Sequence, residues 1–327
     1  MSTKLAAALI VTACALSVIA CTTSGDDAPA ATPSPEPVIG PDPAPVTTPD
    51  AAPIPPFNFG DASAPDPADS SPDVAPGDND PGAALGALVW GTDADGRLVS
   101  FRVQAPDKVS VRAVIGLPAG EKILNIAVRP ANGLMYGLSN RSRLYTVTQQ
   151  GVAAVVGDGM AFTPALMAQA SGFDFNPVAD KLRVHTDVDQ DLRLDPATGK
   201  VVAVDGTLAF APTDENAGQS PNLVGTAYTN SVSPAPATTM LYAIDSTRNL
   251  LTRLPNPNDG MVETVGPLGV DPDPLAGFDI GKTGVALAAL HVAGETALYT
   301  VDLTTGAATR MAAIGHPIAL TSIAIEP

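Results

Sequence analysis

The chain has 327 residues, a net charge of −17, 33 prolines and two cysteines, Cys14 and Cys21. Its acidity lies mostly in one segment: residues 22–85 hold 16 prolines and 11 carboxylates with no Lys or Arg, while 86–327 carry only −7. That balance disfavours nucleic acid or anionic lipid headgroups as the main partner, since both require clustered cations. With both cysteines at the start, the remainder has no disulfide or thiolate metal ligand and must be stabilised by packing.

Residues 1–20 have the form of a secretory signal, with one early charge at Lys4 followed by the apolar run Leu5–Ala20. The run closes on Val18-Ile19-Ala20-Cys21, which resembles the lipobox of bacterial lipoprotein precursors. The resemblance implies that Cys21 is diacylated and becomes the mature N-terminus. The expected address is the cell envelope: the outer membrane, or the outer leaflet of a single cytoplasmic membrane. An ordinary signal peptide cut nearby is the alternative.

Residues 21–85 are Pro, Ala, Asp and Ser with almost no large apolar side chains besides Phe57 and Phe59. Such a composition cannot bury enough surface to offset chain entropy, so a disordered tether is expected. At about 3.1 Å per residue in polyproline II it would reach at most roughly 200 Å.

From residue 86 the pattern changes to short apolar runs separated by Gly, Asn, Asp and Pro, which is strand-and-turn spacing. One phrase recurs: Asn125–Pro130, Gly172–Pro177, Gly225–Tyr228, Gly277–Ile280 and Ser322–Pro327. Its middle residues, Ala127, Asp174, Ala227, Asp279 and Ala324, are 45 to 53 positions apart, a period typical of propellers and other repeat arrays. Three further runs follow each of the first four copies, with hairpin-forming pairs such as Asn132-Gly133 and Asp259-Gly260 between them. A fifth repeat is split. Residues 87–92, 97–102 and 108–116 supply three strands without an inner one, and the orphan phrase at 322–327 supplies the fourth. Residues 86–327 therefore read as an all-β, five-bladed propeller of four-stranded blades, closed by its C-terminal strand. An open two-sheet sandwich would leave the orphan strand unexplained.

Gly172–Pro177 with Lys181–Val184, Asp191–Gly199, Ala227–Ser231, Pro257–Gly260 and Gly277–Ile280 together resemble the bacterial family called domain of unknown function 4394. The resemblance implies a secreted or surface-attached repeat protein and supplies no activity. Asp191 and Asp195 depart from it, standing where asparagines are expected.

In a propeller the inter-blade links and the turns between second and third strands share one face. The long links 158–171, 206–222 and 267–276 should gather there, with Asp93, Asp95, Asp187, Asp189, Asp214, Glu215, Asp271 and Asp273 as a candidate binding face. The alternation of Asp187 and Asp189 suits a hard cation such as calcium, but lacks the glycine and bidentate glutamate of a helix-loop-helix site. Solvated turn aspartates are the simpler reading. Asp174 and Asp279 could line the channel and hold a metal, or could instead cap backbone N–H groups. His185, His291 and His316 show no zinc spacing, and no nucleophile elbow is present. The recurring Trp90, Tyr136, Tyr145, Tyr242 and Tyr299 read as packing residues. The sequence thus favours a tethered binding module without a required cofactor, recognising an extracellular or periplasmic protein or small ligand. The alternative is a metal-dependent hydrolase or lactonase.

Overall fold

The computed structural model describes residues 86–168, 171–315 and 317–326. Cys21, the tether, His316 and Pro327 lie outside the described residues.

The strands form five sheets. The first holds β1 (Leu88–Asp93), β2 (Leu98–Arg102) and β3 (Ala105–Arg112). The second holds β4 (Ile123–Val128), β5 (Met135–Ser139), β6 (Leu144–Val147) and β7 (Ala153–Val155). The third holds β8 (Ser171–Asn176), β9 (Lys181–Thr186), β10 (Asp191–Leu194) and β11 (Val201–Val204). After the two-residue β12 (Ala209–Phe210) come β13 (Leu223–Tyr228), β14 (Leu241–Asp245), β15 (Leu250–Leu254) and β16 (Met261–Pro267). The fifth sheet is β17 (Ala276–Ile280), β18 (Ala286–Val292), β19 (Glu295–Val301) and β20 (Ala308–Ala313). The last strand, β21 (Leu320–Ile325), returns to the first sheet.

There it pairs antiparallel with β1, setting Val89 opposite Ile325, Trp90 opposite Ala324 and Gly91 opposite Ile323. The inner strands touch in the circular order β4, β8, β13, β17, β21 and back to β4. The molecule is a closed five-bladed β-propeller. Pairing the two ends of the chain within one blade leaves no inner edge open to a foreign strand.

Alternation along each strand sends side chains into the layers between neighbouring blades. Leu138, Leu144, Phe175, Leu182 and Leu192 fill one layer, and Ile244, Leu251, Ile280, Leu287 and Leu290 are equally enclosed further round the ring. Each fully buried residue of this kind contributes about 1.5–3 kcal/mol. Trp90, Tyr136, Tyr145 and Tyr299 are buried here as packing residues, and Tyr136 meets Phe175 edge-on across two blades at 5.2 Å.

Two features differ from the sequence reading. β3 begins at Ala105, three residues before the expected start, and so contains Pro106. Proline is tolerated because β3 is an outer, edge strand that need not donate on its free side. The fourth blade also has five strands, since β12 pairs in parallel with the outer strand β16. Ile115 bridges Val152 in the same parallel sense. These inter-blade links thus cover the outer edges of the blades they lead towards, a device invisible to a four-column alignment.

Candidate functional site

Each inner strand runs from an inter-blade link to its first hairpin, so the ring has a link face and a hairpin mouth. The structure divides the candidate residues between these two ends.

Asp174 and Asp279 belong to the hairpin mouth, where they line one small cavity with Pro130, Ser231 and Lys282. Asp174 Oδ1 accepts the N–H of Phe175 and its Oδ2 that of Tyr228, both at 2.7 Å. Asp279 repeats the arrangement, accepting from Ile280 at 2.7 Å and from Ile325 at 2.6 Å. Each carboxylate therefore straps its own inner strand to the next one round. Burial pushes the Asp174 carboxyl well above the usual range, and the facing Asp279 adds to this. Burial likewise raises Asp279, to about 6, against the pull of its two N–H donors. The cavity leaves about 20 Å³ for a water-sized sphere, room for a water. Both carboxylates thus cap backbone N–H groups.

The other end of the channel is closed by small residues. A Cβ on Gly172 would stand 2.1 Å from Thr226 Oγ1, and one on Gly277 2.6 Å from the Ile323 nitrogen. Asn125 and Ser171 lock two inner strands here through Nδ2 to a carbonyl at 2.7 Å and Oγ to Oδ1 at 2.6 Å.

On the link face, much of the expected acidity is engaged in building turns. Asp93 is buried and accepts the N–H groups of Asp95 and Arg97 and the Arg97 Nε. Ser139, Thr186 and Asp245 perform the same service at the corresponding turns of other blades. Asp95 is an exposed partner of Arg97 at 3.5 Å. Burial raises the Asp214 carboxyl, but donors on Thr264 and Asn216 outweigh it and hold the pKa below the ordinary value. Asp271 accepts from Asn249, and Asp273 pairs with His291 at 2.5 Å. Asp187 is half-buried and Glu215 exposed. Asp189, at φ 63°, accepts from Ser220 while its second oxygen is buried without a hydrogen-bond partner. Among the described residues, no three His, Cys, Asp or Glu side chains converge as a metal set.

The face also exposes apolar side chains. Met160 and Met167 are 66% and 64% exposed and Val188 53%. Gln190 links the segments that carry them, accepting from the Met167 N–H at 3.0 Å and donating to the Ala165 carbonyl at 2.9 Å. Methionines escaped the sequence reading because an isolated Met in a link has no periodicity to betray it.

A buried polar network was also missed. Arg183, 2% exposed, donates to Tyr228 Oη, both oxygens of Asp191 and Asn258 Oδ1, and pairs with Asp205 at 3.0 Å. Burial opposes its charge, yet Tyr228, Asp191 and Asp205 hold its pKa above normal. His185 is fully enclosed and shares a hydrogen bond with Thr226 at 3.1 Å. The two departures from the family pattern acquire a reason: Asp191 and Asp195 bring charge to Arg183 and Lys181.

The family model for the domain of unknown function DUF4394 matches residues 97–324, and the chain belongs to that family. No curated protein matches it. Among solved structures, a catalytically inactive variant of virginiamycin B lyase from Staphylococcus aureus, with quinupristin, is 11% identical with a TM-score of 0.38, over 70% of this chain and 71% of that one. A protein of unknown function from Bacteroides thetaiotaomicron is 13% identical with a TM-score of 0.46, over 75% of this chain and 60% of that one. These are likenesses of fold.

Proposed function

We propose that this protein is a surface-tethered lipoprotein whose propeller is a binding module, with the link face as its recognition surface. The observation that carries the reading is the exposure of Met160, Met167 and Val188 on segments stitched together at that face. Large unbranched and branched apolar side chains held in water by a hydrogen-bonded scaffold mark a contact surface, and methionine adapts readily to a partner's shape. The lipobox at Cys21 and the acidic, proline-rich segment that follows supply the anchor and the spacer. Two acyl chains would hold it firmly where one would not.

A photo-crosslinking amino acid placed at Met167 or Val188, in cells producing the full chain, tests this. Placement at Val178 is the control, an exposed valine following an inner strand at the hairpin mouth. Discrete adducts from 167 and 188, but not from 178, are expected; equal or absent labelling at all three contradicts the reading. The alternative of a metal-dependent hydrolase or lactonase would use the channel carboxylates, whose four oxygens already serve backbone donors, or the carboxylates of the link face. Melting with calcium and with EDTA should accordingly give the same midpoint. A calcium-induced rise of several degrees would favour that alternative.

A further inference from the structure

Between the β18–β19 hairpin and the link from β20 to β21, on the same face, lies a cleft of about 520 Å³. Its floor is apolar, with Ile314 and Ile318 nearly fully buried among the blade-layer residues. Among the described residues its polar side chains are His291, Asp107, Glu295 and Thr296, and no lysine or arginine lines it. A volume of this size, mostly apolar with a few polar groups, is typical of small-molecule sites.

The polar groups share a sense. His291 Nδ1 lies 2.5 Å from Asp273 Oδ2, and the Asp273 N–H donates to the His291 carbonyl at 3.0 Å, so ring and backbone are both held. A carboxylate only accepts, so in the neutral ring Nδ1 carries the proton and Nε2, which has no hydrogen-bond partner among the described residues, offers a lone pair. Asp107 and Glu295 add carboxylate acceptors. Their cations, Lys108 and Arg310, are paired with them at exposed positions, where water screens such pairs strongly. Thr296 is 5% exposed, and its hydroxyl is buried with no hydrogen-bond partner, an arrangement rare unless something else completes it.

We infer that this cleft binds a small amphipathic amine, its apolar body on Ile314 and Ile318 and its ammonium directed at His291 Nε2, Glu295 and Asp107. The inference rests on the link face being the binding side and names a ligand class for one sector of it. An ammonium supplies donors to three acceptors, whereas a carboxylate supplies none.

The test is titration of the purified full chain with 2-phenylethylamine, followed by calorimetry or ligand-observed NMR. Phenylacetate keeps the body and reverses the charge; ethylamine keeps the charge and lacks the body. Saturable binding of phenylethylamine, at least tenfold tighter than either control, is expected. Glu295→Gln and Asp273→Asn should each weaken it several-fold, and Ala313→Trp, which fills the cleft, should abolish it. Val178→Asp, at an exposed position of the opposite mouth, should leave it unchanged. Equal binding of phenylacetate, binding that survives Ala313→Trp, or no saturable binding of the amine would each overturn the proposal. Loss of amine binding with crosslinks from Met167 intact removes the cleft alone, while amine binding without those crosslinks removes the wider partner surface and leaves the cleft.

Discussion

Asp279 joins two inner strands by accepting from Ile280 and Ile325, yet burial lifts its pKa to about 6. The folded state therefore holds this proton more tightly than the unfolded chain, whose carboxyl has the ordinary value of about 4. Between those values stability falls as pH rises, because the native state is the one that binds more protons. The full chain should melt at a higher temperature at pH 5 than at pH 7.5 relative to Asp279→Asn, which cannot titrate. An identical pH dependence in the two proteins would show that the carboxyl is not perturbed. Arg183 lies at the opposite extreme: its positive charge offsets Asp191 and Asp205, which are 0% and 6% exposed. Arg183→Met would leave two enclosed carboxylates unopposed and should cost about 3–5 kcal/mol in chemical denaturation. A loss below about 1 kcal/mol would mean that the network relaxes around the gap. From sequence, Asp174 and Asp279 were legible as a pair through their shared place in the repeat. The network was not, because Arg183, Asp205, Tyr228 and Asn258 come from segments spread over 75 positions, and no local spacing announces that they meet.

Among the strands, the columns of the repeat were legible because each apolar run alternates and each turn has its own residue chemistry. Lys181–Thr186, one such run, is a strand. Gly133 and Gly260 take φ of 68° and 70°, the left-handed conformation their hairpins require. The recurrent glycine at the head of the inner strands has a different cause. Gly172 packs so closely on Thr226 that any Cβ collides, and the backbone nitrogen of Thr226 cannot move aside. Gly172→Ala should therefore destabilise by about 1–3 kcal/mol or more through overpacking. Gly133→Ala, with nothing within 4 Å of its added Cβ, should cost only about 1–2 kcal/mol for the left-handed backbone. Equal losses would mean that the channel can widen to take a methyl group. β12 stayed hidden because two residues, Ala209 and Phe210, carry no periodicity. The start of β3 was misjudged because Pro106 reads as a breaker until its edge position is known.

Across the whole molecule, the arrangement of both faces follows from one topological fact, the return of residues 320–325 to pair with β1. Closure puts Met160, Met167, Val188 and the amine cleft on the link face and sets the two carboxylate straps at the opposite mouth. It also explains how a domain without cysteines resists fraying, since neither end of the ring is a free edge. Split repeats leave a clear mark in sequence, an orphan phrase at one end and a short repeat at the other, so closure was legible. The proposed recognition surface was less so: several of its carboxylates build turns, and the exposed methionines follow no pattern. Native-state hydrogen exchange of the full chain tests the closure most directly. Amides of 320–325 and 88–93 should exchange together and only through global unfolding, far more slowly than the link 158–168. If the C-terminal strand instead exchanges as fast as that link while the inner strands stay protected, the ring is not closed by it and the assignment of both faces fails.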